Sequence, residues 1–386
     1  MDPAMQRSPA PARRAPGALR VGAKALPGDA RRHNRTLVLQ TVYRSGPASR
    51  ADIARATQLT KVTVSDLVAE LTAEGLMLEL GTREVTGPGK PAMLVDLARD
   101  THAIVSLDLS DHRRFRGAVL DLDGRILHRA DAPLDGAVGD AAVERTVALA
   151  EELVSRTGLS LLGLGVGTPG VVDDGGTVRT APNLGWADVP LQRILQERTG
   201  LPTVVANDGN AGVLAEHNFG GAGDDLMLIA IGHGLGSGLI VGGVPVVGSC
   251  FAGGEIGQVM VGSDLPLDAP YSREQVLEHW LSVPGLTAAL AEAGDDGRER
   301  VLREAGQRLG TALAPVVGAL NLSEIVLAGP QELVGDVLAE ATLEILQRRT
   351  LPESHRGLVI RTSSQGSDLI LRGATALVLQ AQLGIT

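Results

Sequence analysis

Residues 226 to 254, "LMLIAIGHGLGSGLIVGGVPVVGSCFAGG", hold no Asp, Glu, Lys or Arg across 29 positions, and nine of those positions are glycine. A run this long without charge belongs in an interior, either of a protein or of a bilayer. A spanning helix needs about 20 consecutive apolar residues, whereas the glycines and Pro245 cut this run into pieces of strand length. It is read as a buried hairpin, which commits this part of the chain to a sheet covered on both faces. Carboxylates resume at once with Glu255 and return at Glu278.

The chain has 386 residues, which predicts two or three compact units. Hydrophobic residues make up 44% and aromatic residues only 2%, so the cores must be built from Leu, Val, Ala and Ile. A single cysteine, Cys250, excludes an intrachain disulfide framework and a multi-cysteine metal site, and fits a reducing, cytoplasmic setting. No apolar stretch follows Arg13, Arg14 and Arg20, so the N-terminus does not read as a signal peptide.

The net charge of −10 conceals two opposite halves. Residues 1 to 97 hold 14 Lys and Arg against 9 Asp and Glu, and the remainder holds 21 against 36. A basic head on an acidic body points to a polyanion met by the head alone.

Within that head, residues 1 to 33 are rich in Pro, Ala, Gly and Arg without a sustained period and read as a disordered basic arm. Helical spacing begins at Asn34, with Leu37, Val38, Thr41 and Val42, and stops at Gly46-Pro47. Ser49 and Asp52 form a capping-box pair before a short second helix. Thr60 caps a third, "KVTVSDLVAELTAEG", with Val64, Leu67, Val68 and Leu71 on one face. Two short strands then enclose a loop carrying Arg83 and Lys90. This is the pattern of a winged helix-turn-helix over residues 34 to 98, whose third helix enters the major groove of double-stranded DNA with its N-terminal turn foremost. Thr60, Lys61, Thr63 and Ser65 are the candidates facing the groove. Arg35, Arg50, Arg83 and Lys90 are the candidates for phosphate, and Asp66 could accept from a cytosine amino group.

From residue 99 the order changes to strand, turn and strand, with Asp121 to Gly124 as a hairpin turn, followed by short apolar strands ending in Gly or Asn/Asp clusters. The stretches "GKPA" (89–92), "PNLGW" (182–186), "ND" (207–208), "GGEIG" (253–257) and "RGATALVL" (372–379) together resemble the ROK family of repressors, open reading frames and kinases. The head places the resemblance with the repressors of NagC/XylR type. It implies a two-lobed actin-like (sugar kinase/ribonuclease H-like) α/β domain over residues 99 to 386, dimerisation, and a sugar or sugar-derived effector.

The resemblance also implies a site. Asp208 matches the family's catalytic base; read on its own, it is equally a helix-capping aspartate. Asn183, Asn207, Asp208, Glu255, Gln258 and Glu278 form the expected hydroxyl-binding set. Gly232, Gly234, Gly236 and Gly238 keep the second phosphate loop, but the first is altered: Asp108 is followed by "LSDHRRF", which adds Asp111 beside the phosphates. The adenine-side pair of glycines has become Ala328-Gly329-Pro330. Where the family has a histidine and three cysteines on a structural zinc, this chain has Gln258 and "GSDLPLDAPYSREQ". Neither zinc nor ATP is therefore expected. His217, His233 and His279 fit no metal spacing. The expected function is a homodimeric, or dimer-of-dimers, regulator of a palindromic operator. The alternatives are an active sugar kinase and a regulator whose body only dimerises.

Overall fold

A computed structural model describes residues 27–82, 92–261, 266 and 268–385. Helix α1 (Pro27–Ser45) opens the head and is followed by β1 (Ala48–Ser49), α2 (Arg50–Thr57) and α3 (Lys61–Ala73). Strands β2 (Met77–Thr82) and β3 (Met93–Leu97) complete it, with β3 central in a three-stranded antiparallel sheet. The local signals act as read. The Ser49 side chain accepts from the Asp52 amide and Asp52 answers in a capping box, while Thr60 accepts from Thr63 N at 3.1 Å. One boundary differs from expectation. Helix α1 starts at Pro27, inside the segment read as a disordered arm, because Arg31 and Arg35 reach across to Glu70 and Glu74 of α3 and hold two extra turns in place. The wing loop with Arg83 and Lys90 lies outside the described residues.

The body repeats one topology twice. In the first lobe β4 (His102–Asp108), β5 (Arg114–Leu120) and β6 (Ile126–Pro133) form an antiparallel meander, beside which β7 (Ser160–Thr168) and β11 (Thr203–Asn207) run parallel to β4. Helix α4 (Asp140–Ser155), a small sheet of β8 (Val171–Val172), β9 (Val178–Ala181) and β10 (Trp186–Val189), and α5 (Leu191–Thr199) lie between them in sequence. The second lobe repeats the order with β12 (Leu226–Ile231), β13 (Leu235–Val241) and β14 (Val244–Pro245) as the meander, extended by parallel β15 (Glu324–Ala328) and β16 (Val359–Thr362). The charge-free run is thus the β12–β13 hairpin of a covered sheet. No helix among the described residues is long and apolar enough to cross a membrane.

Helices α7 (Leu277–Leu281), α8 (Val283–Leu320, broken at Gly294) and α9 (Asp336–Arg349) follow, and Leu309 and Leu313 of α8 share a core with Ile325 and Leu327 of the sheet. Helices α6 (Asp208–Phe219) and α10 (Leu369–Val378) lie between the two lobes. Their crossing is close enough to require glycine, since a Cβ on Gly373 would sit 2.0 Å from the Ala211 carbonyl oxygen.

The head is not tethered by a loose linker. Leu379, Leu383 and Ile385, which continue from α10, are buried in one cluster with Val38, Leu39 and Val42 of α1 and Ile104 of β4. Around this seam the Tyr43 hydroxyl donates to the Leu122 carbonyl (2.9 Å), Gln40 donates to the Gly384 carbonyl (2.6 Å), and Arg99 lies over the Tyr43 ring while pairing with Asp123.

Two glycine substitutions test this packing. Gly373→Ala should lower unfolding free energy by about 1–3 kcal/mol through overpacking. Gly318→Ala in α8, where a Cβ meets nothing within 4 Å, should raise it by about 0.5–1 kcal/mol. Denaturant titration separates the two, and a neutral Gly373→Ala would remove the tight crossing.

Candidate ligand cleft and nucleic-acid interface

The cleft is assembled from the carboxyl ends of strands in both lobes. Strand β11 ends at Asn207, whose side chain caps α6 by accepting from Asn210 N (3.2 Å) and donates to the Gly170 carbonyl (2.9 Å). Asn207 is therefore committed at both ends of its amide, and the capping role open to Asp208 falls to it instead. That leaves the Asp208 carboxylate at the first position of α6, with Oδ1 accepting from the Gly209 amide (2.8 Å). Strand β13 passes beside it, and a Cβ on Gly236 would be 3.7 Å from Asp208 Oδ1. Burial, opposed by the Gly209 hydrogen bond and reinforced by the charges of Asp108 and Glu255, pushes the Asp208 pKa up to about 7.

Glu255 and Glu278 complete the acidic wall. Glu255 is also raised, by burial and then by Glu278. Glu278 is held at both oxygens: the Leu235 amide donates to Oε2 (2.9 Å) and Gln258 Nε2 donates to Oε1 (3.3 Å). Gln258 in turn accepts from the Tyr271 hydroxyl at 2.9 Å. Asp208, Glu255, Gln258 and Glu278 thus come together, while Asn183 is exposed in a single turn, Pro182–Leu184, with no hydrogen bond among the described residues.

A zinc brace does not fit the segment between Glu255 and Glu278. It contains neither histidine nor cysteine, and the described residues hold no group of three or more metal-type side chains. Its ends are joined by backbone instead. Val261 N donates to Gln275 O and Leu277 N to Val259 O, both at 2.9 Å, around a Met260–Val276 bridge. The three histidines weighed earlier serve separate ends: His217 pairs with Asp224 (3.0 Å), His279 meets the edge of Trp280, and His233 stacks on His112 with centroids 4.1 Å apart.

That stack matters because it joins the first phosphate loop to the second across the lobes. Beneath it Asp108 is fully buried and spent internally. Its Oδ1 accepts from the Ser110 amide (3.0 Å) and hydroxyl (2.6 Å), and its Oδ2 pairs with Arg116. Arg116 had no signal in a sequence reading, since its partner is defined only by the β4–β5 pairing.

On the head, helix α3 buries Val64, Leu67, Val68 and Leu71 and turns Lys61, Val62, Ser65, Asp66 and Ala69 outward. Thr60 and Thr63 are bound to each other in the cap (2.9 Å). Two of the residues expected at phosphate already hold carboxylates within the head. Arg35 is engaged with Glu74 (2.7 Å) and Glu70 (3.3 Å), and Arg50 with Glu79 (2.8 Å), so both brace the head itself. Lys61 has no partner among the described residues.

A two-lobed actin-like body carrying a winged helix-turn-helix is the class these features define. The family model described as "ROK family" matches residues 105–381, and the chain belongs to that family. The xylose repressor of Caldicellulosiruptor bescii is 27% identical over 390 residues, covering 91% of this chain and 96% of that protein. A glucokinase of Halalkalibacterium halodurans is 30% identical over 303 residues, covering 69% of this chain and 92% of that one. A crystal structure described as a ROK family transcriptional regulator, homolog of the E. coli MLC protein, shares the fold with a TM-score of 0.80 at 22% identity, covering 92% of this chain and 98% of that one.

The raised Asp208 has a pH signature. A carboxyl whose folded pKa of about 7 lies above its unfolded value near 4 binds a proton more tightly when folded, so its contribution is present at low pH and lost as pH rises from about 4 through 7. Asp208→Asn should therefore raise the melting temperature at pH 8 and change it little at pH 4. Equal shifts at both pH values would show that Asp208 is not perturbed.

Proposed function

We propose that the chain is a DNA-binding transcriptional regulator of the ROK family, a repressor whose cleft binds a sugar or sugar-derived effector and whose head occupies a palindromic operator as a homodimer or dimer of dimers. It works in the cytoplasm, where the DNA is. The observation that carries this reading is the shared core in which Leu379, Leu383 and Ile385 join the head to the helix crossing beneath Asp208. A ligand that alters how the lobes close acts on α10, and α10 runs directly into the head. The xylose repressor relative, aligned along nearly its whole length, supports the same assignment.

The cleft suits hydroxyls better than phosphates. Asp208 and Glu255 can accept from sugar hydroxyls, each Glu278 oxygen keeps a further lone pair beside the donor it already has, and a cleft lined by three carboxylates repels an anion. Asp108 sealed by Ser110 and Arg116, and His112 stacked on His233, occupy the ground between the two loops to which the resemblance assigns nucleotide phosphates. No catalysis is assigned. A second reading, an ATP-dependent sugar kinase, draws on the glucokinase relative and on Asp208, whose pKa near neutrality suits a general base.

Thermal unfolding against neutral sugars, sugar phosphates and ATP distinguishes them. A ligand at about 100 times its dissociation constant adds roughly 2.7 kcal/mol. The sensor reading expects such a shift from a sugar and none from ATP, and sugar phosphorylation on addition of both would replace it with the kinase. On the head, Lys61→Ala should reduce the log–log salt slope of operator binding by about 0.9, the value of one phosphate contact. Arg35→Ala should lower the melting temperature and leave that slope unchanged, and the reverse pattern would return Arg35 to the interface.

A further inference from the structure

The outward face of α3 carries a large apolar side chain that is exposed among polar neighbours. Val62 is 70% exposed, although valine is a weak helix former and gains nothing from solvent. It lies in the first turn of the helix, two residues after the Thr60 cap and four before Asp66, so Val62, Asp66 and Ala69 form a single stripe opposite the buried Val64, Leu67, Val68 and Leu71. Thr60 and Thr63, which flank it, spend their hydroxyls on each other. The centre of the face that a helix-turn-helix offers to the major groove is therefore an apolar branched side chain beside a carboxylate.

Base edges in the major groove present one apolar group, the C5-methyl of thymine, and two exocyclic amines, of cytosine and adenine, from which a carboxylate can accept; of these the adenine amine sits beside the N7 lone pair, which repels a carboxylate. We infer that Val62 is a specificity-determining residue that packs on a thymine methyl in each operator half-site. Asp66, one turn along the same stripe, faces the neighbouring base pair, where its oxygens suit a cytosine amine and reject a carbonyl. This inference rests on the reading of the head as a DNA reader. It adds which base group is read and by which residue.

The experiment begins with the full chain selecting duplexes from a randomised pool at fixed salt. In the enriched duplex each thymine is then replaced singly by deoxyuridine, which removes only the methyl. The wild-type chain should lose about fourfold in affinity at one position per half-site, the value of one buried methyl group. Val62→Ala should bind the thymine duplex about fourfold more weakly and be indifferent to uracil at that position, while Val244→Ala, at an exposed valine of the body, keeps the wild-type profile. Because Val62 is exposed and alanine is the better helix former, the variant's melting temperature should be no lower than that of the wild type, which excludes a folding explanation. Identical uracil profiles for wild type and Val62→Ala, or a sensitivity that disappears with Val244→Ala instead, would overturn the assignment while leaving the head a DNA reader. Failure to enrich any duplex would overturn both together.

Discussion

The two lobes meet at the crossing of α6 and α10, and the proposed coupling of cleft to head depends on it. Two helices can approach this closely only where one presents no Cβ, and Gly373 against the Ala211 carbonyl meets that requirement. The same helix is close-packed on its other side, where a Cβ on Gly165 of β7 would lie 2.0 Å from the Ala374 carbonyl oxygen. Helix α10 is consequently fixed to the first sheet directly and to the second through α6. Interiors packed this tightly move as discrete rearrangements rather than by gradual yielding, so under the proposed function a change in lobe closure would be carried along α10 rather than absorbed.

Both ends of the device follow from that geometry. At one end α6 begins with Asp208, whose position is set by the Asn207 cap and by Gly236 of β13 beside it. At the other, α10 continues into the head core, where Gln40 and Tyr43 of α1 bond to Gly384 and Leu122 of the body. Between the two loops that follow β4 and β12, side chains of the protein meet one another. Arg116 neutralises Asp108, and two histidines meet between the loops. The acidic wall that remains is suited to a neutral, hydroxyl-rich ligand. Glu278 is held there by a hydrogen-bond chain through Gln258 to Tyr271 and by a short backbone ladder.

What was legible in the sequence was local. The capping box at Ser49–Asp52, the Thr60 cap, the helical stripe of α3 and the strand-length apolar pieces at 226–241 each depend on neighbours within a few residues, and the structure has them as read. What was not legible was long-range. Arg35 and Arg50 look like free cations until the fold brings Glu74 and Glu79 beside them, 39 and 29 residues away. The extension of α1 back to Pro27 depends on the same cross-helix pairs. The union of head and body joins residues 344 apart, Gln40 and Gly384, and no periodicity announces it. In the cleft, the family resemblance pointed to Asp208, Glu255 and Glu278, but only the fold shows that the helix cap falls to Asn207 and not to Asp208.

The most direct test of the central claim measures operator affinity and effector binding on the same molecule. A labelled operator duplex is titrated with the full chain at constant salt, first alone and then with saturating amounts of the sugar that gives the largest thermal shift. If the cleft communicates with the head through α10, the sugar changes operator affinity by about 5- to 150-fold, and operator changes sugar affinity by the same factor. A sugar that binds tightly and leaves operator affinity unchanged would contradict the account, since cleft and head would then share a core without sharing an equilibrium.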